Sequence, residues 1–127
     1  MKLRIRGSSL RLRLSQGEVH TLAEHGAVED RVEFPGGTRL VYRVRIEKNI
    51  PEISASYNMN LIEVLVPEAL AGPWCRSDGV ALSAGQSGAA GELRVAVEKD
   101  FACLAPREGE DDADSFPHPH AGGGRTC

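Results

Sequence analysis

Between Lys2 and Leu14 the chain reads K-L-R-I-R-G-S-S-L-R-L-R-L, with aliphatic and basic residues alternating on both sides of a Gly-Ser-Ser break. Successive side chains of a strand point to opposite faces, so the pattern predicts a β-hairpin. Leu3, Ile5, Leu10, Leu12 and Leu14 fall on the core face, and Lys2, Arg4, Arg6, Arg11 and Arg13 on the other. Ser15-Gln16-Gly17-Glu18 follows as a capping-box pattern. Val19, Leu22 and Ala23 then form one helical stripe, and Gly26 stands where a left-handed C-cap belongs.

Alternation resumes at Val28–Phe34 and, after Pro35-Gly36-Gly37, at Arg39–Glu47, where Leu40, Tyr42, Val44 and Ile46 face inward and Arg39, Arg43 and Arg45 outward. Ile53–Tyr57 reads as a weaker strand. Leu61–Val66 is apolar enough to predict the sheet centre, buried on both faces. Pro67–Ala71 predicts a short helical turn stopped by Gly72-Pro73, with Trp74 closing one end of the core. Gly79–Ser83 and Glu92–Glu98 form a further strand pair, joined by a small, mobile linker from Ala84 to Gly91, and Glu98-Lys99-Asp100 reads as a turn or bulge.

These elements predict an α+β fold, mainly β: a strongly curved, largely antiparallel sheet, barrel-like in the limit, with one capped helix at about 15–25 and a helical turn at about 67–71. No internal repeat of solenoid length is visible. The expected core is Leu3, Ile5, Leu12, Leu14, Val19, Leu22, Phe34, Tyr42, Val44, Ile62, Val64, Trp74, Val95 and Phe101. Residues 1–106 form the expected single domain. From Arg107 the chain turns acidic and then Pro/Gly-rich, a partly disordered tail whose Phe116 is the expected anchor.

Composition narrows the function classes. At 127 residues and 41% hydrophobic content there is material for one real core. No apolar run approaches the ~18 residues a membrane span needs, and no apolar stretch follows the charged start, so a soluble, unsecreted protein is expected. Cys75, Cys103 and Cys127 are odd in number and widely spaced, which fits reduced thiols and a cytoplasmic location. Residues 1–50 hold ten Lys/Arg against six Asp/Glu, whereas residues 51–127 hold five against twelve. With aromatic content of 5% and an acidic total, nucleic acid is not an expected partner.

Two stretches, K-L-R-I-R-G-S-S-L-R-L-R-L-S-Q-G-E-V at Lys2–Val19 and V-E-K-D-F-A-C-L at Val97–Leu104, with F-P-H-P at Phe116–Pro119 behind them, carry a resemblance. The sequence resembles a family of short bacterial proteins known only as a domain of unknown function. That resemblance implies a bacterial cytoplasmic protein and one intact domain to about Pro119. It implies no catalytic residue.

Arginine supplies the sharpest candidate site. On a sheet curled toward a barrel, Arg4, Arg6, Arg11, Arg13, Arg43 and Arg45 converge on one concave face, and planar guanidinium forks suit phosphate or carboxylate. The expectation is a small non-enzymatic binding module for a small anion or an acidic protein segment, needing no cofactor. The competing bland reading is a solvated face of cross-strand Arg/Glu pairs. An alternative is a metal-dependent hydrolase of a phosphorylated substrate, with Glu29, Glu33, Glu47, Glu63 and Glu98 beside the arginines. That arrangement resembles the charged tunnels of triphosphate-hydrolysing barrel enzymes, but their E-x-E-x-K start is absent. Cys103, Asp111, Asp112, Asp114, His118 and His120 are of metal-ligand type but lack paired zinc spacing, so no metal site is expected. The acidic tail is a candidate cover for the basic face.

Overall fold

The computed structural model describes residues 1–101 together with Asp114 and Phe116. Eight strands and two helices follow in chain order: β1 (Lys2–Ile5), β2 (Ser9–Leu14), α1 (Gln16–His25), β3 (Ala27–Glu33), β4 (Arg39–Glu47), β5 (Ser54–Asn58), β6 (Leu61–Pro67), α2 (Glu68–Arg76), β7 (Ala81–Gly88) and β8 (Gly91–Lys99). The fold is mainly β with α+β character. Each half of the chain is a ββαββ unit, and the two units interlock.

One curved sheet was the expectation; two four-stranded sheets are found, in the orders β1-β2-β8-β7 and β3-β4-β6-β5. Each combines one hairpin from each half, joined by a parallel centre pair, β2 with β8 and β4 with β6. The other four pairings are antiparallel. Parallel partners far apart in sequence leave no local signal, so pattern reading joined the hairpins in chain order instead.

The inward positions stack in rungs. Register pairs Leu10 with Val95 and Leu12 with Val97 in the first sheet, and Tyr42 with Ile62 and Val44 with Val64 in the second. Leu12, Leu14, Val44, Val64, Val66, Val95 and Val97 are fully buried, and Val19, Leu22, Ala71 and Trp74 of the helices join the same core. All four central strands run toward the helices. The four hairpin turns, at residues 6–8, 34–38, 59–60 and 89–90, therefore gather at the opposite end. Ile5 and Phe34, both expected in the core, lie at that end and are 59% and 51% exposed. Their parity was right, but among the described residues no element covers the strand tips there.

Helix α1 forms as expected. The Ser15 hydroxyl accepts from the Glu18 amide at 3.3 Å, Glu18 accepts from the Ser15 amide at 3.0 Å, and Gly26 adopts φ 81° while donating to the Leu22 carbonyl. Helix α2 instead runs past Gly72-Pro73, where a stop was expected. Pro73 deprives the Ala69 carbonyl of its donor, but Ala69 is exposed to water, and burial of Ala71 and Trp74 holds the turn. Ala84–Gly88, expected to be a mobile linker, is strand, because Ala84 and Gln86 alternate inward against β8. Lys99 ends β8 with no bulge.

Two seams hold the sheets together where no backbone ladder does. At one edge Gln86 of β7 meets the exposed backbone of β5, accepting from the Ala55 amide at 2.6 Å and donating to its carbonyl at 3.1 Å. At the other the Tyr42 hydroxyl donates to the Met1 carbonyl at 3.2 Å, and the Met1 amine lies 3.4 Å from Asp30. Removing Gln86 strands both Ala55 groups, each costing about 1–3 kcal/mol where water cannot replace the partner. Gln86→Ala is expected to lower unfolding free energy by about 2 kcal/mol, and Gln86→Glu, which sets a carboxylate oxygen against the Ala55 carbonyl, to lose at least as much. Urea denaturation checks this; equal stability of Gln86→Ala and the parent would show that the seam is already solvated.

Candidate functional site

Outward positions carry the charge, and the two sheets differ. On the β3-β4-β6-β5 face Arg31, Arg39, Arg43 and Arg45 are matched by Glu29, Glu33, Glu47 and Glu63. Glu63 is the hub, 3.1 Å from Arg43 and 3.3 Å from Arg45, while Arg43 also reaches Glu29 at 3.0 Å and Arg45 pairs with Glu47. Hydrogen bonds from Arg45, then Arg43, outweigh partial burial and hold the Glu63 carboxyl below its ordinary value. Both arginines are raised in turn, Arg43 chiefly by Glu29 and Arg45 chiefly by Glu63. Arg43 and Arg45 are thus members of a cross-strand network on a charge-balanced face.

The β1-β2-β8-β7 face is unbalanced. Lys2, Arg4, Arg11, Arg13 and Arg94 occupy its outward positions, with Arg6 in the adjoining turn, against Glu92, Glu98 and Asp100. Glu98 serves two cations, Arg11 at 3.3 Å and Arg13 at 3.2 Å. Lys2 pairs with Asp100 at 3.0 Å, and Arg94 with Glu92 at 3.5 Å. Among the described residues Arg4 and Arg6 make no ion pair, and both are exposed. On the same face, across Arg11 from Arg4, lies a depression of about 440 Å³ lined by Ser9, Ser83, Gly85 and Ala96 and bordered by Arg11, Arg94 and Glu92.

The six expected arginines therefore do not converge. Arg4, Arg6, Arg11 and Arg13 share one outer face, and Arg43 and Arg45 lie on the outer face of the other sheet. The concave interior between the sheets is apolar, because the alternation that exposes each arginine turns its aliphatic neighbours inward. Glu29, Glu33, Glu47 and Glu63 lie on one face and Glu98 on the other. Arg94 was missed by the sequence reading, although its place between Leu93 and Val95 carries the same basic-aliphatic alternation as Arg11.

A second charged feature was not anticipated. Lys99 takes the inward position that corresponds to Ile46 in the other half, and it is 4% exposed. Its Nζ donates to the Ser77 carbonyl at the end of α2 and lies 5.2 Å from the Trp74 ring centre and 5.4 Å from that of Phe116. Desolvation lowers its pKa. The nearby Cys75 thiol is raised by burial, opposed by Lys99 and Arg76, which makes it a poor thiolate. Phe116 packs on Phe101 with ring centres 5.6 Å apart, and its amide donates to the Asp100 carbonyl.

Asp114 meets the start of α1, not the basic face: its carboxylate accepts from the Gly17 amide at 3.2 Å, and its carbonyl from Gln16. Phe116 is thus an anchor, as expected. The covering role assigned to the acidic run falls on Glu108–Asp112, outside the described residues, as do Cys103, His118 and His120.

The chain belongs to a family described as a family of unknown function (DUF7009), whose model matches residues 1–120. No curated protein and no solved structure matches it. Among the described residues no helix is long and apolar enough to cross a membrane.

The Glu63 hub has a defined pH signature. Because its folded-state pKa is lowered, its contribution is fully present above the ordinary glutamate range and is lost as pH falls through the lowered value. Glu63→Gln is expected to cost about 1 kcal/mol at neutral pH, a figure discounted for the partly solvated arginines. The gap between parent and variant should close in acid, as read from urea denaturation across pH. A gap that persists in acid would assign the effect to packing.

Proposed function

We propose that this protein is a small non-enzymatic binding module whose β1-β2-β8-β7 outer face receives an anionic ligand, best matched by an acidic segment of a partner. The observation that carries this reading is the excess of cations on that face, with Arg4 and Arg6 unpaired among the described residues while the opposite face is balanced. Outward residues of a strand recur about 7 Å apart, so Lys2, Arg4 and Arg6 form a line of charge that fits carboxylates along an extended chain better than one point anion. Arg11 and Arg13 form a second line beside it. The small residues of the adjoining depression let a ligand backbone approach the sheet, and guanidinium forks supply paired donors. Arg43 and Arg45 are left out of this site by their bonds to Glu29, Glu47 and Glu63. The odd, widely spaced cysteines support a reducing, cytoplasmic setting for the module.

Binding of a fluorescent oligoglutamate peptide tests the reading. Anisotropy should rise at low salt and fall with ionic strength, since exposed charges are screened over about 10 Å at 0.1 M. Arg4→Gln combined with Arg11→Gln and Arg13→Gln should weaken binding by about tenfold, each exposed pair contributing roughly 0.2–1 kcal/mol. Glu92→Gln should strengthen it by removing the competing carboxylate. Equal loss from Arg43→Gln with Arg45→Gln, or no salt dependence, would overturn the assignment to this face.

A further inference from the structure

The two halves of the chain occupy equivalent places in the fold. Exchanging β1, β2, α1, β3 and β4 for β5, β6, α2, β7 and β8 turns the sheet β1-β2-β8-β7 into β5-β6-β4-β3, which is the other sheet. Register extends the match to single residues. Leu12 opposes Val97 as Val64 opposes Val44, so Leu3, opposite Leu12, corresponds to Ala55, opposite Val64. In the same way Val32, opposite Leu40, corresponds to Gln86, opposite Leu93. The two seams therefore differ. At one, Gln86 takes both backbone groups of Ala55; at the other the same positions hold Val32 and Leu3, and a valine side chain has no hydrogen bond to offer.

The β1–β2 ladder shows which backbone groups are left over. Arg6 and Ser9 exchange both N–H···O bonds at 3.1 Å, which marks them as a hydrogen-bonded pair. Such pairs alternate along an antiparallel ladder, so Lys2 and Arg4 also turn their backbone groups to β2, whereas those of Leu3 and Ile5 turn to the open edge. Among the described residues no group meets them there. Ile5 is 59% exposed and Val32 42%, so solvent reaches this seam.

The neighbours of this edge select its occupant. Lys2, Arg4 and Arg6 lie along the outward side of β1, and Arg4 and Arg6 have no ion-pair partner among the described residues. A second copy pairing β1 with β1 would set cation against cation, an arrangement that destabilises sheets and that charged edges serve to prevent. An extended acidic segment meets the same positions with opposite charge. Its alternate residues turn inward toward Ile5 and Val32, where apolar side chains belong.

We infer that a partner segment of alternating acidic and apolar residues adds to the open edge of β1 as a further strand. It bonds to the backbone groups of Leu3 and Ile5, sets its carboxylates along Lys2, Arg4 and Arg6, and packs its apolar side chains against Ile5 and Val32. This mode rests on the acidic-segment reading of the same face and deepens it: main-chain bonds supply affinity, and the alternation supplies specificity. The bonds that the Gln86 amide makes to Ala55, one accepted and one donated, are the pair that a residue of an antiparallel strand presents.

A fluorescent octapeptide of alternating Glu and Val tests this, beside two forms N-methylated at every glutamate amide or at every valine amide. Only one parity of amide in an added strand faces the sheet, so one methylated form should lose about tenfold in affinity, the equivalent of one or two bonds, while the other binds like the parent. Hydrogen exchange at the Leu3 and Ile5 amides, fast in the free chain, should slow on binding. Ile5→Pro removes an edge N–H without touching the β2 ladder and should weaken the octapeptide at an unchanged melting temperature. Val32→Gln, which copies the Gln86 seam, should weaken it by taking the Leu3 groups from within. Should Ile5→Pro unfold the chain, the methylated peptides probe the same bonds with the protein unaltered. Salt-dependent binding with equal affinity for the two methylated forms, or with no slowing at Leu3 and Ile5, would overturn strand addition and leave the acidic-segment reading standing. Amides already slow in the free chain would overturn it as well, because the edge would then be filled by this chain or a second copy. Absence of salt-dependent binding for the octapeptide and oligoglutamate alike would remove both.

Discussion

The structure depends on the burial of one row of aliphatic side chains from each of four parallel-running central strands. Leu12, Val44, Val64 and Val97 form the middle of that stack, every one of them out of contact with water. Fully burying such a side chain contributes about 1.5–3 kcal/mol, and none of these strands has another surface on which to obtain it. The sheets must therefore face each other. Their outer faces are left to charged residues by the same alternation.

Both helices leave the same end of the stack, which makes the two ends chemically different. At the helix end the stack is closed by Val19, Leu22, Ala71 and Trp74, and a lysine is tolerated because the Ser77 carbonyl and two aromatic rings receive its charge. Asp114 and Phe116 return to that end as well, one on the first amides of α1 and the other on Phe101. Among the described residues nothing comparable arrives at the turn end. The exposed Ile5, Phe34, Tyr57 and Met59 follow from that asymmetry.

Interlocking halves also explain why charge is unequal between the outer faces. Each sheet takes a hairpin from each half, so neither inherits the basic or acidic balance of one half intact. β1 and β2 bring four cations to the first sheet, with Arg6 in the turn between them, and β8 supplies Glu98 as the shared partner of Arg11 and Arg13. In the second sheet Glu63 of β6 stands between Arg43 and Arg45 of β4, and Glu29 of β3 completes the balance. The residual positive face is thus a product of which strands pair.

Local chemistry determined much of this molecule. Period-2 alternation gave nearly every inward position, including Leu12, Tyr42, Val64 and Val95, because a side chain's face depends only on its parity along the strand. Ser15, Glu18 and Gly26 specified α1 at both ends through bonds made within one turn. Tertiary structure decided what depends on distant partners. The pairing of β2 with β8 spans most of the chain, and it alone separates Arg11 and Arg13 from Arg43 and Arg45. Residues Ala84–Gly88 are too small to announce a strand, yet β8 and the backbone of β5 give them partners. Pro73 continues a helix because Trp74 has a core to enter, and Lys99 is buried because Ser77, Trp74 and Phe116 meet around it. A sequence fixes which way a side chain points; what it then meets is set by the packing of strands that the pattern does not pair.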